Sequence, residues 1–535
     1  MSLSVIRQSQ IKGGYMKKLL FIASIFLFTA SLFALEVNEP ELKVAGNETV
    51  EFINYTGPHK VIDSLEAIKR IGSDMGKTIV PEKPSQVGNK NKYYVIHAVD
   101  AEEKGKLDAD ILFIGPDATV DHIKNLRRII SAYLSAAYGY SEKDADTLAV
   151  FVTVYNAVYR GQYDVYNSKY KAVVTKNLSQ DNCGLSTTYK DWPGKSEIVI
   201  PLYDVNGGIS TVDTSVISDS TVVDSMKEDG DKNVDSRKDM VDLKEREAEK
   251  ANDKAQQAQK TAADEKKKLD ETKKEAKDAQ KDADKAKKEA EKNPTEENKK
   301  KAEEAQQKAD EKKEEVKEQE KKTEEAKQEA KEQQEFADKK QKEAYDERKE
   351  IAKDQQEVQE KEAAEAKMPS EYGIILSDEK NLLSRLVHFN TDTGEIIKKS
   401  PVTQIRNRTI YALGNEFIAV AGEDAGNAAI KLVTIDQVNM EITSESNETL
   451  APDSVLVRDG NDFYCVIADE SNWKVGKFDS NLVLKLKSDV NVKSSTPITI
   501  TDSGVVITDD TGHLRLLNKA DLKSITKGMS AADAK

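Results

Sequence analysis

The sequence predicts a multidomain chain: an N-terminal α/β (or α+β) domain, a long Ala-rich coiled coil folded as a helical hairpin, and a C-terminal all-β domain of propeller-like repeats. Three observations carry this. Residues 239–366 are almost wholly Lys, Glu, Gln, Asp and Ala with apolar residues at three-four spacing. Residues 35–203 alternate strand-like and helix-like patterns, and residues 371–526 repeat a strand–turn–strand unit. At 535 residues with 33% charged side chains, the chain exceeds one hydrophobic core.

At the start, Lys17 and Lys18 precede an apolar run from Leu19 to Phe33 and the small Ala34, the order of a signal peptide over residues 16–34. The run is shorter than the roughly 20 residues that span a bilayer, so export is expected, with an uncleaved anchor as the alternative. Residues 1–15 read as an upstream segment that is not translated, with Met16 as the start: Ile11 to Tyr15 resemble a translated ribosome-binding site. Cys183 and Cys465 lie on opposite sides of the stem and are expected to be unpaired.

In the first head, 35–203, strands are expected at Thr49–Tyr55, Tyr93–Val99, Ile111–Ile114 and Glu197–Leu202, each rich in β-branched or aromatic residues. Ile123, Leu126, Ile129, Ile130, Tyr133 and Leu134 share one helical face, and Ser141 with Asp144 forms a capping start for the next helix. Residues 204–238 turn to Asp, Ser, Thr, Val and Gly without periodicity and read as a linker. In the stem, Ala248 to Ala290 hold one heptad phase and Ala302 to Val358 another, out of step across Asn293-Pro294-Thr295. A phase break at a proline predicts an antiparallel hairpin, whose first arm would reach roughly 75 Å. A homo-oligomer through this coil is the other expectation.

In the second head, strand–turn–strand units recur at Leu386–Ile396, Leu432–Ile442, Val475–Leu484 and Leu514–Ile525, each behind another apolar run. That pattern predicts four-stranded propeller-like blades, with a β-sandwich as the alternative; residues 527–535 read as a tail.

Chemistry is sparse. The net charge of −15 argues against nucleic acid as a partner. The five histidines stand at no metal-ligand spacing, no phosphate-binding Gly-rich loop is present, and no cofactor or metal is expected. Cys183 as a nucleophile beside His97 or His122 is set against the plainer reading of a small loop residue. The remaining binding candidate is an aromatic stripe, Tyr155, Tyr159, Tyr163, Tyr166 and Tyr170, at spacings of four, four, three and four. If the helix continued through Gly161, these rings would either pack as core or form a groove for a sugar or peptide, flanked by Arg160 and Asp164.

The stretches FINYTGP (52–58), IKNLRRI (123–129), VYNAVYRG (154–161), and NCGLS followed by WPGK and IVIPL (182–202) resemble the 83/100-kilodalton antigen family of spirochaetes, best known from the Lyme-disease Borrelia. DTGEIIKKS (392–400) is a fainter likeness. The resemblance implies an exported envelope protein, antigenic in its best-known member, and transfers no catalytic residue; in such relatives the position of Cys183 can be Ala. The expected function is therefore an exported, non-enzymatic structural or interaction protein of the envelope, periplasmic or outer-membrane associated, with two heads spaced by a coiled coil. Its partner would be a protein or envelope component. A surface adhesin is the first alternative, and a cell-wall hydrolase in the first head the second.

Overall fold

The computed structural model describes residues 50, 52–60, 64–203, 211–424, 428–526 and 529–530; the signal peptide and the segment before it lie outside these. Among the described residues no helix is long and apolar enough to cross a membrane.

The first head opens with helix α1 (Leu65–Thr78), capped by the Ser64 hydroxyl, which accepts from the Ala67 N–H. Four antiparallel strands follow in sequence order across the sheet: β1 (Ser85–Asn89), β2 (Tyr93–Ala98), β3 (Asp108–Ile114) and, after the helices, β4 (Ser196–Leu202). Helices α2 (Ile123–Tyr138) and α3 (Glu142–Val158) carry the expected apolar face and the expected Ser141 cap, with short α4 (Tyr163–Lys169) and α5 (Ala172–Thr175) behind them. α1 lies against α2 because Gly72 and Gly76 carry no side chain. A Cβ on Gly72 would stand 1.9 Å from the Ile129 carbonyl oxygen, and one on Gly76 would stand 2.6 Å from that of Tyr133. Three of the four expected strands are present. At the fourth, Thr49–Tyr55, Ile53 bridges another segment, at Thr188, and no other bridge occurs there among the described residues.

The segment expected as a linker is folded from Thr211 onward. α6 (Thr214–Ile217) and α7 (Ser220–Lys227) start on Asp213 and Asp219 caps, and they bury Val212, Ile217, Val222 and Met226 in the first head's core. Asp213 and Asp219, which suggested a loop, are helix caps.

The stem is two helices, α8 (Val234–Lys292) and α9 (Glu296–Glu365), turning at Asn293–Thr295, where Thr295 caps α9. Their seam is as periodic as the sequence suggests: Ala255, Leu269, Ala276 and Ala283 on α8 face inward, with Ala309, Thr323, Ala330, Ala337 and Ala344 on α9. Each buried methyl contributes only ~0.8 kcal/mol, so length compensates for shallow knobs. At the root, Met240 and Leu243 enter the first head's core and charged pairs replace alanine: Arg237–Asp354 and Lys244–Glu347, both at 2.7 Å and all four nearly buried. Tyr203 stacks on Phe336. Beyond this level about 40 residues of each arm continue, a length on the order of 60 Å.

The second head is a succession of antiparallel sheets. β5 (Ser370–Asp378), β6 (Leu383–Asn390) and β7 (Ile396–Lys399) are joined by a single bridge, Ser384 to Ile405, to β8 (Ile405–Leu413), β9 (Glu416–Gly422), β10 (Ile430–Asp436) and β11 (Ile442–Glu445). Next come β12 (Val457–Asp459), β13 (Asp462–Asp469), β14 (Asn472–Phe478) and β15 (Leu484–Lys487), then β16 (Ile498–Thr501), β17 (Gly504–Thr508), β18 (His513–Leu517) and β19 (Met529–Ser530). The expected tail thus supplies the last strand. β9 uses both faces: Phe417, Ala419 and Ala421 pack toward the first sheet, Ile418 and Val420 toward the third. Three apolar clusters join successive sheets, and among the described residues no apolar cluster joins the last sheet to the first.

The stem does not space the heads. Because α9 returns the chain to the root of α8, the second head lies directly against the first.

Candidate functional site at the joint of the two heads

The stretches that carried the family resemblance fall into two groups. Residues 154–161 and 182–202 form an internal lock. Asn156 Nδ2 donates to the carbonyls of Val152 and Val199, both at 2.8 Å, and its Oδ1 accepts from the Val199 N–H at 2.7 Å. Buried Arg160 donates to the carbonyls of Asn182 and Gly184 at 2.6 and 3.0 Å. Gly184 is required here: it has φ +89°, and a Cβ would stand 2.4 Å from the Asn156 carbonyl oxygen. Trp192, fully buried, donates to the Ser186 carbonyl at 2.7 Å.

Within 52–58 and 123–129, Tyr55, Thr56, Pro58 and Lys124 instead face the second head. The Tyr55 hydroxyl donates to the Pro58 carbonyl at 2.6 Å and accepts from the Glu423 N–H at 3.3 Å. Thr56 Oγ1 donates to the Pro401 carbonyl at 2.7 Å, and the Ala429 N–H donates to the Pro58 carbonyl at 3.2 Å. Burial raises the Tyr55 phenol well above its ordinary value, so it stays a neutral donor. From α2, Lys124 reaches Glu441 at 2.6 Å.

These contacts surround a cleft of about 330 Å³ whose walls include His59, Asn125 and Arg128 of the first head and Glu441, Ser444 and Glu445 of the second. Burial alone would depress the His59 imidazole, but Asp121 at 2.6 Å outweighs it and holds the group above its ordinary value. His122 is driven down to about 4 by burial and by Lys124; neutral, it accepts the Lys124 N–H and caps α2. The cleft is therefore polar, spans both heads, and is tied by a few hydrogen bonds and, among the described residues, one cross-head ion pair. The apolar clusters of the two heads share no residue.

The aromatic stripe is not a groove. α3 ends at Val158 and Gly161 takes φ +68°, so the helix does not pass through. Tyr155, Tyr166 and Tyr170 are fully buried, with Tyr155 and Tyr170 hydroxyls 3.0 Å apart, while half-buried Tyr159 bonds Asp219 at 2.8 Å and Tyr163 the Thr175 carbonyl at 3.2 Å. All five rings serve packing. Cys183 is buried and pushed up to about 11 by burial and by Glu197, far from a thiolate. Cys465 is likewise buried and unpaired.

His97 does meet a carboxylate: its Nδ1 lies 2.6 Å from Asp110 Oδ1 and its Nε2 2.8 Å from the Pro81 carbonyl, while Tyr133 and Tyr138 donate to Asp110 Oδ2 at 2.6 and 2.5 Å. Burial opposes the charge on His97, but Asp110 prevails and raises it, leaving a satisfied internal pair with no face to solvent. The cleft itself was not legible beforehand, because its walls come from segments more than 300 positions apart. The only signal was the Gly57-Pro58 turn that bounds the expected strand Thr49–Tyr55.

A family model described as Borrelia P83/100 protein matches residues 39–298 and 291–498. No curated protein sequence matches significantly. Among solved structures, the computationally designed Ika8 protein is similar over 28% of this chain and 46% of its own, with 13% identity and a TM-score of 0.21; so the match spans under half of that chain. Designed Ika4 is similar over 25% of this chain and 83% of its own, with 14% identity and a TM-score of 0.19. Likenesses this loose carry no argument about the fold.

Proposed function

This chain belongs to the Borrelia P83/100 protein family, and from that premise we propose that it is an exported, non-enzymatic structural and interaction protein of the cell envelope, built to hold a partner away from a two-headed body. The observation that carries this is the stem. It is rooted in the first head's core, its seam closes within one chain, and its arm extends on the order of 60 Å past the last stacking contact. A helical hairpin that completes its own seam needs no second copy, which leaves its charged outer faces for contact with other envelope components.

The non-enzymatic reading is supported by what the chemical candidates do. Cys183, His97 and the five tyrosines are all engaged in packing or internal hydrogen bonds. The succession of antiparallel sheets of seven, four and four strands supports an open, propeller-like second head that presents loops rather than a closed channel. Export rests on the apolar run at 19–33 and on the envelope antigen for which the family is named.

Proteolysis of intact cells beside lysed cells, followed with an antibody to the second head, tests the placement. Digestion only after lysis supports a periplasmic spacer. Digestion in intact cells, with a periplasmic control protected, would replace it with a surface-displayed adhesin, and recovery of the chain with cytoplasmic markers would overturn the proposal.

A further inference from the structure

Charges in the cleft between the heads are matched one by one, with a single exception. Lys124 is answered by Glu441 at 2.6 Å, His59 by Asp121 at 2.6 Å, and Glu445 by Lys431 at 3.5 Å. Arg128, half-buried in the same wall, meets only the neutral Asn125 Oδ1 at 2.6 Å and has no carboxylate at ion-pair distance among the described residues. Its remaining guanidinium N–H groups form a fork suited to two oxygens of one anion.

The opposite wall also offers donors. β11 is the free edge of its sheet. The Ser446 N–H donates to the Leu432 carbonyl and Glu445 stands opposite Val433, so the antiparallel alternation turns the Glu445 N–H outward from the edge. The exposed Ser444 hydroxyl lies beside it on the cleft lining. A volume of about 330 Å³ is at the lower end of the range for small-ligand sites.

We propose that the cleft binds a small oxyanion, a carboxylate or phosphate group, held between the Arg128 guanidinium and the β11 edge. Because the two heads share no apolar cluster, a ligand that touches both walls would brace the joint and stabilise the closed arrangement. This goes beyond the stem-based reading above and does not depend on it.

The test titrates the full-length chain by calorimetry with sodium phosphate and, separately, sodium acetate, at ionic strength held constant with sodium chloride. The expected result is saturable binding of at least one probe, with a rise in melting temperature. Phosphate alone would assign a phosphate-bearing ligand, acetate alone a carboxylate. R128Q should weaken binding about tenfold or more while the ligand-free melt stays unchanged. R128K, which keeps the charge but loses the fork, should fall between. Absence of saturable heat with both probes, or equal binding by R128Q, overturns the proposal and leaves the proteolysis result untouched.

Discussion

Lys124 Nζ and Glu441 Oε2 stand 2.6 Å apart although 317 positions separate them in the chain. The whole stem leaves and returns between them, so this contact exists only because the stem is a hairpin. An exposed ion pair of this kind contributes about 0–1 kcal/mol. The joint therefore depends more on the backbone bonds made by Tyr55, Thr56 and Pro58.

Gly57 sits at the centre of that joint. A Cβ there would lie 2.7 Å from the Tyr55 hydroxyl and 2.8 Å from Gln404 Oε1, both in buried side chains. Gly57→Val should open the joint and leave each head folded. Limited proteolysis should then separate the heads at lower protease concentration, with unchanged helical and strand content by circular dichroism.

Tyr166→Ala should destabilise the first head by about 3–5 kcal/mol, because a fully buried ring is removed from a close-packed cluster. Denaturant unfolding followed at Trp192 fluorescence measures this. An unchanged midpoint would restore the reading of the tyrosines as a binding face.

Arg237 pairs with Asp354 at the root of the stem, with Nε and Nη2 left without partners among the described residues. Removing one partner of a buried pair costs about 3–5 kcal/mol, whereas apolar replacement of both is often neutral. R237M should lower the stem's melting temperature, and R237M with D354L should recover most of it. The alanine seam repeats every seven residues and admits slipped registers. The double variant should therefore show mixed registers when distances between spin labels on the two arms are measured.

Glu247 is held up to about 7 chiefly by burial, against the pull of Lys340 at 3.4 Å, and its Oε1 has no partner among the described residues. Its folded value lies above its unfolded value. Its contribution to stability is therefore complete below the ordinary carboxyl range and is lost as pH rises through about 7. Hydrogen exchange at residues 211–217, which pack on this carboxyl through Thr214, should quicken as pH rises from 6 to 8 beyond the intrinsic rate. E247Q should remove the excess.

The elements with strong periodicity were legible from sequence: the heptads of both arms, the break at Pro294, the Ser141 cap and the alternating strands of the second head. Local periodicity reports which face is buried, and these elements bury a face against near neighbours. Residues 211–233 were misread because Asp213 and Asp219 look like loop residues until the helices they cap are seen. The tyrosine spacing suggested one helical face only on the condition that the helix continued through Gly161, whose positive φ instead turns the chain, with Tyr166 and Tyr170 in the core. Adjacency of the heads could not be read locally at all. It follows from the hairpin, but its contacts lie in single residues such as Thr56 and Lys124.

Zero-length carbodiimide coupling of the full-length chain, with mass spectrometry of the joined peptides, tests the joined-head arrangement most directly. Lys273 and Glu320, 2.7 Å apart across the two arms and both exposed, report the hairpin, and Lys124 with Glu441 reports the joint. Both couplings are expected, with the second abolished in E441Q. Recovery of the Lys273–Glu320 product without any Lys124–Glu441 product would contradict the joined-head arrangement and separate the heads.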